Sequence, residues 1–271
     1  MKTLVAASIL ATTPLAGFAA PVDLTGWIDN GFQGDNSSGN WVVQPGNDAV
    51  RQTINGDPTV FFDPGSNAQG TSLAGEITVE TTSDDDFIGF VLGYQDGELN
   101  SANADFWLID WKQATQSFGG ETAQIGLSLS HVSGDILNGT TDPFDTFWPH
   151  AGYVNEVQRA ATLGSTGWVD NALNEFELIF TADLIQVSVD GNVELSYTSA
   201  DNGGVQFTDG AFGFYNFSQD PVLYAGITEN VLPDPDPVPD PDPAPVVPLP
   251  ASSLLLMGGI AGLVGMRRRK R

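Results

Sequence analysis

Three aspartates in a row, Asp84, Asp85 and Asp86, form the most concentrated chemical feature of this 271-residue chain. Adjacent carboxylates repel one another unless water or a cation lies between them. Calcium gathers six to eight oxygen ligands, often loop carboxylates and carbonyls. In a turn, unlike a strand, consecutive side chains can converge, so Asp84, Asp85 and Asp86 are the candidate ligands of a Ca2+ ion. The alternative for the same residues is an acidic turn that is simply solvated. No D-x-[DN]-x-[DN]-G loop of the EF-hand type is present.

The other reactive residues are sparse. Glu175 and Glu177 in NEFEL lie two apart on a predicted strand, so both carboxylates face one side, as acid and nucleophile do in some sandwich-fold glycosidases. An alternating strand also carries acids on its wet face by default. The two histidines, His131 and His150, are too few for histidine-rich zinc ligation, and without cysteine no thiolate site can form. Neither histidine is accompanied by a G-x-S-x-G elbow. The expectation is a non-enzymatic protein.

The elements that must position these groups read as strands. Phe87 to Tyr94 and Phe106 to Trp111 are apolar at nearly every position, as suits strands covered on both faces. Further runs fall at Asn40 to Val43, Ala74 to Thr81, Gly126 to His131, Asn174 to Phe180, Ile185 to Val189, Val193 to Tyr197, Ala211 to Phe217 and Leu223 to Ile227. Asp190-Gly191 between two alternating segments is a hairpin signal. Many short strands without interleaved amphipathic helices predict an all-β antiparallel sandwich or barrel. The stretch Asp142 to Ala161 is the least strand-like. It holds Phe144, Phe147, Trp148, His150 and Tyr153, and reads as a long loop over one sheet. Trp148, His150 and Tyr153 are its candidate partner-binding residues; the other reading is that its aromatics close the core.

Several motifs in one order resemble the C-terminal domain of thrombospondins. They are DDDF (Asp84 to Phe87), Gly89-Phe90, GYQ (Gly93 to Gln95), WKQ (Trp111 to Gln113) and Thr115-Gln116. The resemblance extends to NWVV (Asn40 to Val43), RQTINGDP (Arg51 to Pro58), GWVD (Gly167 to Asp170) and FGFYNFSQD (Phe212 to Asp220). It implies a jelly-roll β-sandwich of the legume-lectin (concanavalin A-like) kind, strengthens the calcium assignment, and aligns the aromatic loop loosely with a Trp-His-rich loop. The Asp-rich calcium repeats that precede this domain in thrombospondins have no counterpart here, and the absence of cysteine removes any family disulfide.

Both ends read as addresses. Met1-Lys2, the apolar stretch Leu4 to Leu15 and Gly17-Phe18-Ala19 predict a secretory signal over residues 1–19. The sandwich domain is assigned to 20–230 and a Pro/Asp-rich linker to 231–246, whose PDPDPVPDPDPAP run would span roughly 40 Å as polyproline II. Residues 247–271 hold VPLPA, an apolar segment and five terminal basic residues. Residues 246–266 are long enough to cross a bilayer, with the basic cluster in the cytoplasm. This tail resembles PEP-CTERM sorting signals, which implies processing by an exosortase-type enzyme, transient inner-membrane anchoring and delivery to the cell surface; a plain single-pass anchor is the alternative. Without the two ends, three basic residues face all 34 acids, a net charge of −31. Nucleic acid is excluded as a partner on this charge, and divalent cations are favoured. The expectation is an exported calcium-binding adhesion or matrix-contact protein meeting a surface protein or glycan. A lectin-like carbohydrate-binding module is the first alternative, a glycoside-active enzyme the second.

Overall fold

A computed structural model describes residues 19–32, 38–137 and 142–233. The expected secretory signal apart from its last residue, most of the expected linker and the whole expected sorting tail lie outside the described residues. Among the described residues no helix is long and apolar enough to cross a membrane.

The expected all-β antiparallel sandwich is what the chain forms. One sheet has the strand order β15 (Asn192–Thr198), β14 (Leu184–Val189), β13 (Leu173–Phe180), β6 (Thr71–Val79), β17 (Val222–Val231), β4 (Val50–Gln52) and β3 (Trp41–Val43), with β1 (Ala20–Pro21) also pairing with β17. The second sheet runs β12 (Val154–Arg159), β11 (Gly126–Gly134), β8 (Ala104–Lys112), β7 (Phe87–Tyr94), β16 (Ala211–Phe217), β5 (Thr59–Phe62) and β2 (Ile28–Gly31). A small separate hairpin joins β9 (Gln116–Phe118) to β10 (Glu121–Ala123). Consecutive strands repeatedly switch sheets, as β4 to β5 to β6 to β7 and β16 to β17 do, which is the jelly-roll arrangement.

The near-continuous apolar strands have a direct cause: the second sheet is buried on both faces. Ile88, Phe90 and Leu92 of β7, with Trp107, Ile109 and Trp111 of β8, face the first sheet and pack with Phe176, Leu178 and Val187. Phe87, Val91, Phe106, Leu108, Tyr215 and Phe217 point the other way, into a second apolar cluster closed by Phe147 and Trp148 of the aromatic loop. Strand β13 has only one buried face, so Phe176, Leu178 and Phe180 are buried while Glu175 and Glu177 are exposed. The period-2 alternation of NEFEL is the imprint of that geometry.

Several boundaries differ from expectation. β12 lies inside the stretch read as loop. VNEVQR is mostly polar because it is an edge strand, paired on one side with β11. Strand β5, TVFF, is framed by Asp-Pro pairs on both sides, which give this short stretch the sequence signature of a turn. The expected hairpin forms with both Asp190 (φ 49°) and Gly191 (φ 75°) in the left-handed region, a type I′ turn matched to the strand twist.

Candidate metal centre

The acidic triplet ends the connection between β6 and β7, and its three carboxylates each offer an oxygen within 4.8 Å of the others. The turn is held from several distant segments at once. The Asp86 amide donates to Gln219 Oε1 at 2.9 Å, and the Trp168 indole donates to the Asp86 carbonyl at 3.0 Å. Asn55 Nδ2 donates to Asp84 Oδ2. The Gln113 amide donates to the Asp85 carbonyl at 3.2 Å, while its side chain donates to Asp170 at 2.7 Å. Each of these residues belongs to a motif singled out in the sequence: N-x-DP, WKQ, GWVD and FSQD. Segments as far apart as Asn55 and Gln219 thus share one structural task.

The triplet does not act as three equivalent carboxylates. Lys112, at the end of β8 and wholly buried, places Nζ 2.6 Å from Asp86 Oδ1 and 3.5 Å from Asp85 Oδ1. Asp86 is buried, whereas Asp84 and Asp85 are half-buried beside an open depression of about 360 Å3 lined also by Thr82, Ser83, Gln113 and Gln116. Burial, then the charges of Asp86 and Asp85, push the Asp84 carboxyl up to about 6. The donor chemistry fits a hard divalent cation: carboxylate, amide and hydroxyl oxygens on one open rim, with room for water. All three aspartates have an oxygen within reach of such an ion, Asp84 and Asp85 from the open side and Asp86 from the buried one. Asp86 differs from the other two in also pairing with Lys112 through Oδ1, a partner that the triplet by itself does not reveal. The WKQ motif was the available signal for Lys112.

The aromatic loop needs the larger correction. Trp148, expected on a partner-facing surface, is only 2 % exposed. Its ring packs against Phe87, Phe144 and Phe217 at centroid distances of 5.6, 5.1 and 5.8 Å, and Lys112 Nζ sits 4.4 Å from its centre. The reason is the outward apolar face of the second sheet, which the loop covers. The His150 side chain is 7 % exposed, with Nε2 2.8 Å from Asp110 Oδ2 and Nδ1 3.2 Å from Glu156 Oε2. Burial acts to lower its pKa, but the Asp110 and Glu156 carboxylates outweigh burial and raise it to about 9. Glu156 is in turn gripped by Arg159 through Nε at 2.9 Å and Nη2 at 2.6 Å. Burial would raise the Glu156 pKa; His150 and Arg159 instead hold it at about 2. Tyr153 is half-buried, its hydroxyl 2.9 Å from Thr146 Oγ1. The exposed aromatic here is Phe118 on the β9–β10 hairpin, 55 % exposed and 4.7 Å from the Phe144 ring, which sequence reasoning missed.

Glu175 and Glu177 do share one face, and Glu76 stands directly across from Glu175 in the register. All three line a groove of about 420 Å3 with Ser188 and the side-chain-free positions Gly75, Gly191 and Gly226. His131 is a strand residue as expected, 2.7 Å from Asp105 and stacked on Trp107. The metal turn and the acidic groove are separate places: no residue lines both depressions.

Chicken (Gallus gallus) thrombospondin-2 is 29 % identical over 200 residues, covering 69 % of this chain and 16 % of that protein. Xenopus laevis thrombospondin-1 is 28 % identical over 204 residues, with the same coverages of 69 % and 16 %. The chain therefore spans about a sixth of the length of these relatives. Among solved structures, the carbohydrate-binding module CBM66 from Bacillus subtilis is similar with a TM-score of 0.49 at 9 % identity, covering 76 % of this chain and 95 % of that one. The exoplasmic/lumenal domain of VIP36, in a Ca2+/Man3GlcNAc-bound form, is similar with a TM-score of 0.47 at 11 % identity, covering 80 % and 88 %. The family model for the thrombospondin C-terminal region matches residues 36–231, and the chain belongs to that family.

Proposed function

We propose that this protein is an exported, non-enzymatic, calcium-binding module for adhesion or matrix contact, in which a Ca2+ ion on Asp84 and Asp85 sets the turn between β6 and β7. One observation carries the reading: motif residues from four other segments converge on this turn, yet two of its carboxylates are left facing an open, oxygen-lined depression. A bound ion would supply charge neutralisation there. The chain's own residues prepare the turn: Gln219 and Trp168 hold the Asp86 backbone and Asn55 holds the Asp84 carboxylate, and the ion completes the ordering. The partner is a surface protein or a glycan. In this reading the C-terminal tail hands the protein to an exosortase-type enzyme and anchors it in the inner membrane only in transit.

A ligand that binds only the folded state stabilises it by about 2.7 kcal/mol at a hundredfold excess over Kd, or roughly 5–10 °C in Tm for a domain of this size. Thermal melts in calcium and in chelator should differ by that order, and the difference should vanish in Asp84→Asn/Asp85→Asn. Equal midpoints for the unaltered protein would remove calcium from the account.

A lectin-like reading has its own support in the acidic groove across β6, β13 and β14. Its oxygen-rich, open floor offers acceptors for sugar hydroxyls, and Glu76, Glu175 and Glu177 have no basic residue among the groove-lining side chains. Saturable hits on a glycan array, lost on Glu175→Gln or Glu177→Gln without a fall in Tm, would favour that reading. Turnover of a polysaccharide that disappears in Glu175→Gln would instead establish a glycoside-active enzyme.

A further inference from the structure

The Lys112 ammonium has the surroundings of a bound cation. Its three protons face three oxygens, Asp86 Oδ1 at 2.6 Å, Gln116 Oε1 at 3.0 Å and the Asp85 carbonyl at 3.1 Å. The rings of Trp148 and Phe87, centred 4.4 and 5.2 Å away, cover it on the protein side. Oxygens and π-faces replace the water that such a group gives up on burial. The other two basic residues in the described structure are engaged elsewhere, Arg51 with Glu80 and Arg159 with Glu156. Asp84 and Asp85 line the outer depression, and Asp86 does not.

We propose that Lys112 is a tethered internal cation that permanently fills the inner half of the acidic triplet and so defines what the outer half can accept. Three carboxylates and one ammonium leave a net charge of −2, which a single divalent ion neutralises. Lys112 thereby removes Asp86 from the external ligand set and confines the ion to Asp84 and Asp85. It also weakens ion binding, because its positive charge lies 3.5 Å from one Asp85 oxygen. This inference rests on the calcium reading above and adds a specificity-determining residue to it.

The test replaces the tethered cation. In Lys112→Met the triplet carries three unopposed charges, one of them on a buried aspartate that has lost its counter-ion. The variant should melt well below the unaltered protein in chelator and recover much of the loss in millimolar calcium chloride. The calcium-induced shift in Tm should at least double, and calcium affinity by titration calorimetry should rise about tenfold or more. The double variant Asp86→Asn/Lys112→Met restores the net −2 while keeping Asp84 and Asp85, so its calcium shift should return to that of the unaltered protein. A Lys112→Met shift equal to that of the unaltered protein overturns the proposal, and so does a double variant that no longer responds to calcium, since Asp86 would then be a ligand. If Lys112→Met folds in neither condition, the double variant decides by the same criterion. Absence of any shift in the unaltered protein is a different result, which fails the calcium reading itself.

Discussion

Replacing His150 by glutamine tests whether the charge chain Asp110–His150–Glu156–Arg159 fastens the aromatic loop to the second sheet. Asp110 is fully buried, and its partners are Ser128 Oγ at 2.9 Å and His150 at 2.8 Å. His150 titrates at about 9 in the folded protein against 6.5 for a free imidazole. At 1.36 kcal/mol per pH unit, that interval is worth about 3 kcal/mol to the folded state. Because the folded pKa is raised, this stabilisation is complete below pH 6.5 and is lost as the pH climbs through 9. Glu156 has the opposite sign: its folded pKa is depressed to about 2, so its share is present above pH 4.5 and fades on acidification. The latch is therefore tightest between pH 4.5 and 6.5. With about 2–4 °C of Tm per kcal/mol for a domain of this size, His150→Gln should melt roughly 6–12 °C lower at pH 6. The gap should narrow steadily between pH 7 and 9.5. Asp110→Asn/His150→Gln should recover much of the loss, since removing both partners leaves no buried charge unpaired. Differential scanning calorimetry across that range is the assay. A gap below 2 °C at pH 6, or one that stays constant to pH 9.5, would refute the reasoning.

Trp148→Ala should cost about 3–5 kcal/mol by urea denaturation, the scale for truncating a buried aromatic, because Trp148 is a core residue; a partner-facing role would leave stability within about 0.5 kcal/mol. Gly89→Ala should destabilise by several kcal/mol or prevent folding, as its Cβ would lie 2.0 Å from the Ile109 carbonyl oxygen, a backbone atom that cannot rotate aside. Expression and melting of the purified variant check this. Glu175→Gln should raise stability by about 0.2–1 kcal/mol by relieving the like charge of Glu76 directly opposite; a loss in stability would show that the groove carboxylates are mutually supported in a way the register does not reveal.

The relation between sequence and structure differs from one element to the next. β7 and β16 lie where their apolar runs predicted, at Phe87–Tyr94 and Ala211–Phe217, because a strand buried on both faces leaves a continuous signature. Strands with one wet face, such as β13, were legible from alternation. β12 was not: an edge strand of polar residues carries no periodic signal, and only pairing with β11 defines it. The acidic triplet was visible as a candidate ion site, but its division into an inner member and two outer ones was not. That division depends on Lys112, 26 residues from Asp86 in sequence and brought to it by the pairing of β7 with β8.

Local pattern alone determined the class of fold, the turn that bears the triplet, the hairpin at Asp190-Gly191 and the strongly anionic character of the chain. These are properties of neighbours in sequence: side-chain period, backbone preference and summed charge. Tertiary structure alone decided that Trp148 and the His150 side chain are buried and Phe118 is exposed, that Asp86 pairs with Lys112, and that Glu76 joins Glu175 and Glu177 in one groove. Each of those depends on which surfaces meet when two sheets stack and a loop folds over them, and an aromatic side chain carries no mark of which way its loop will turn until an apolar face exists to receive it.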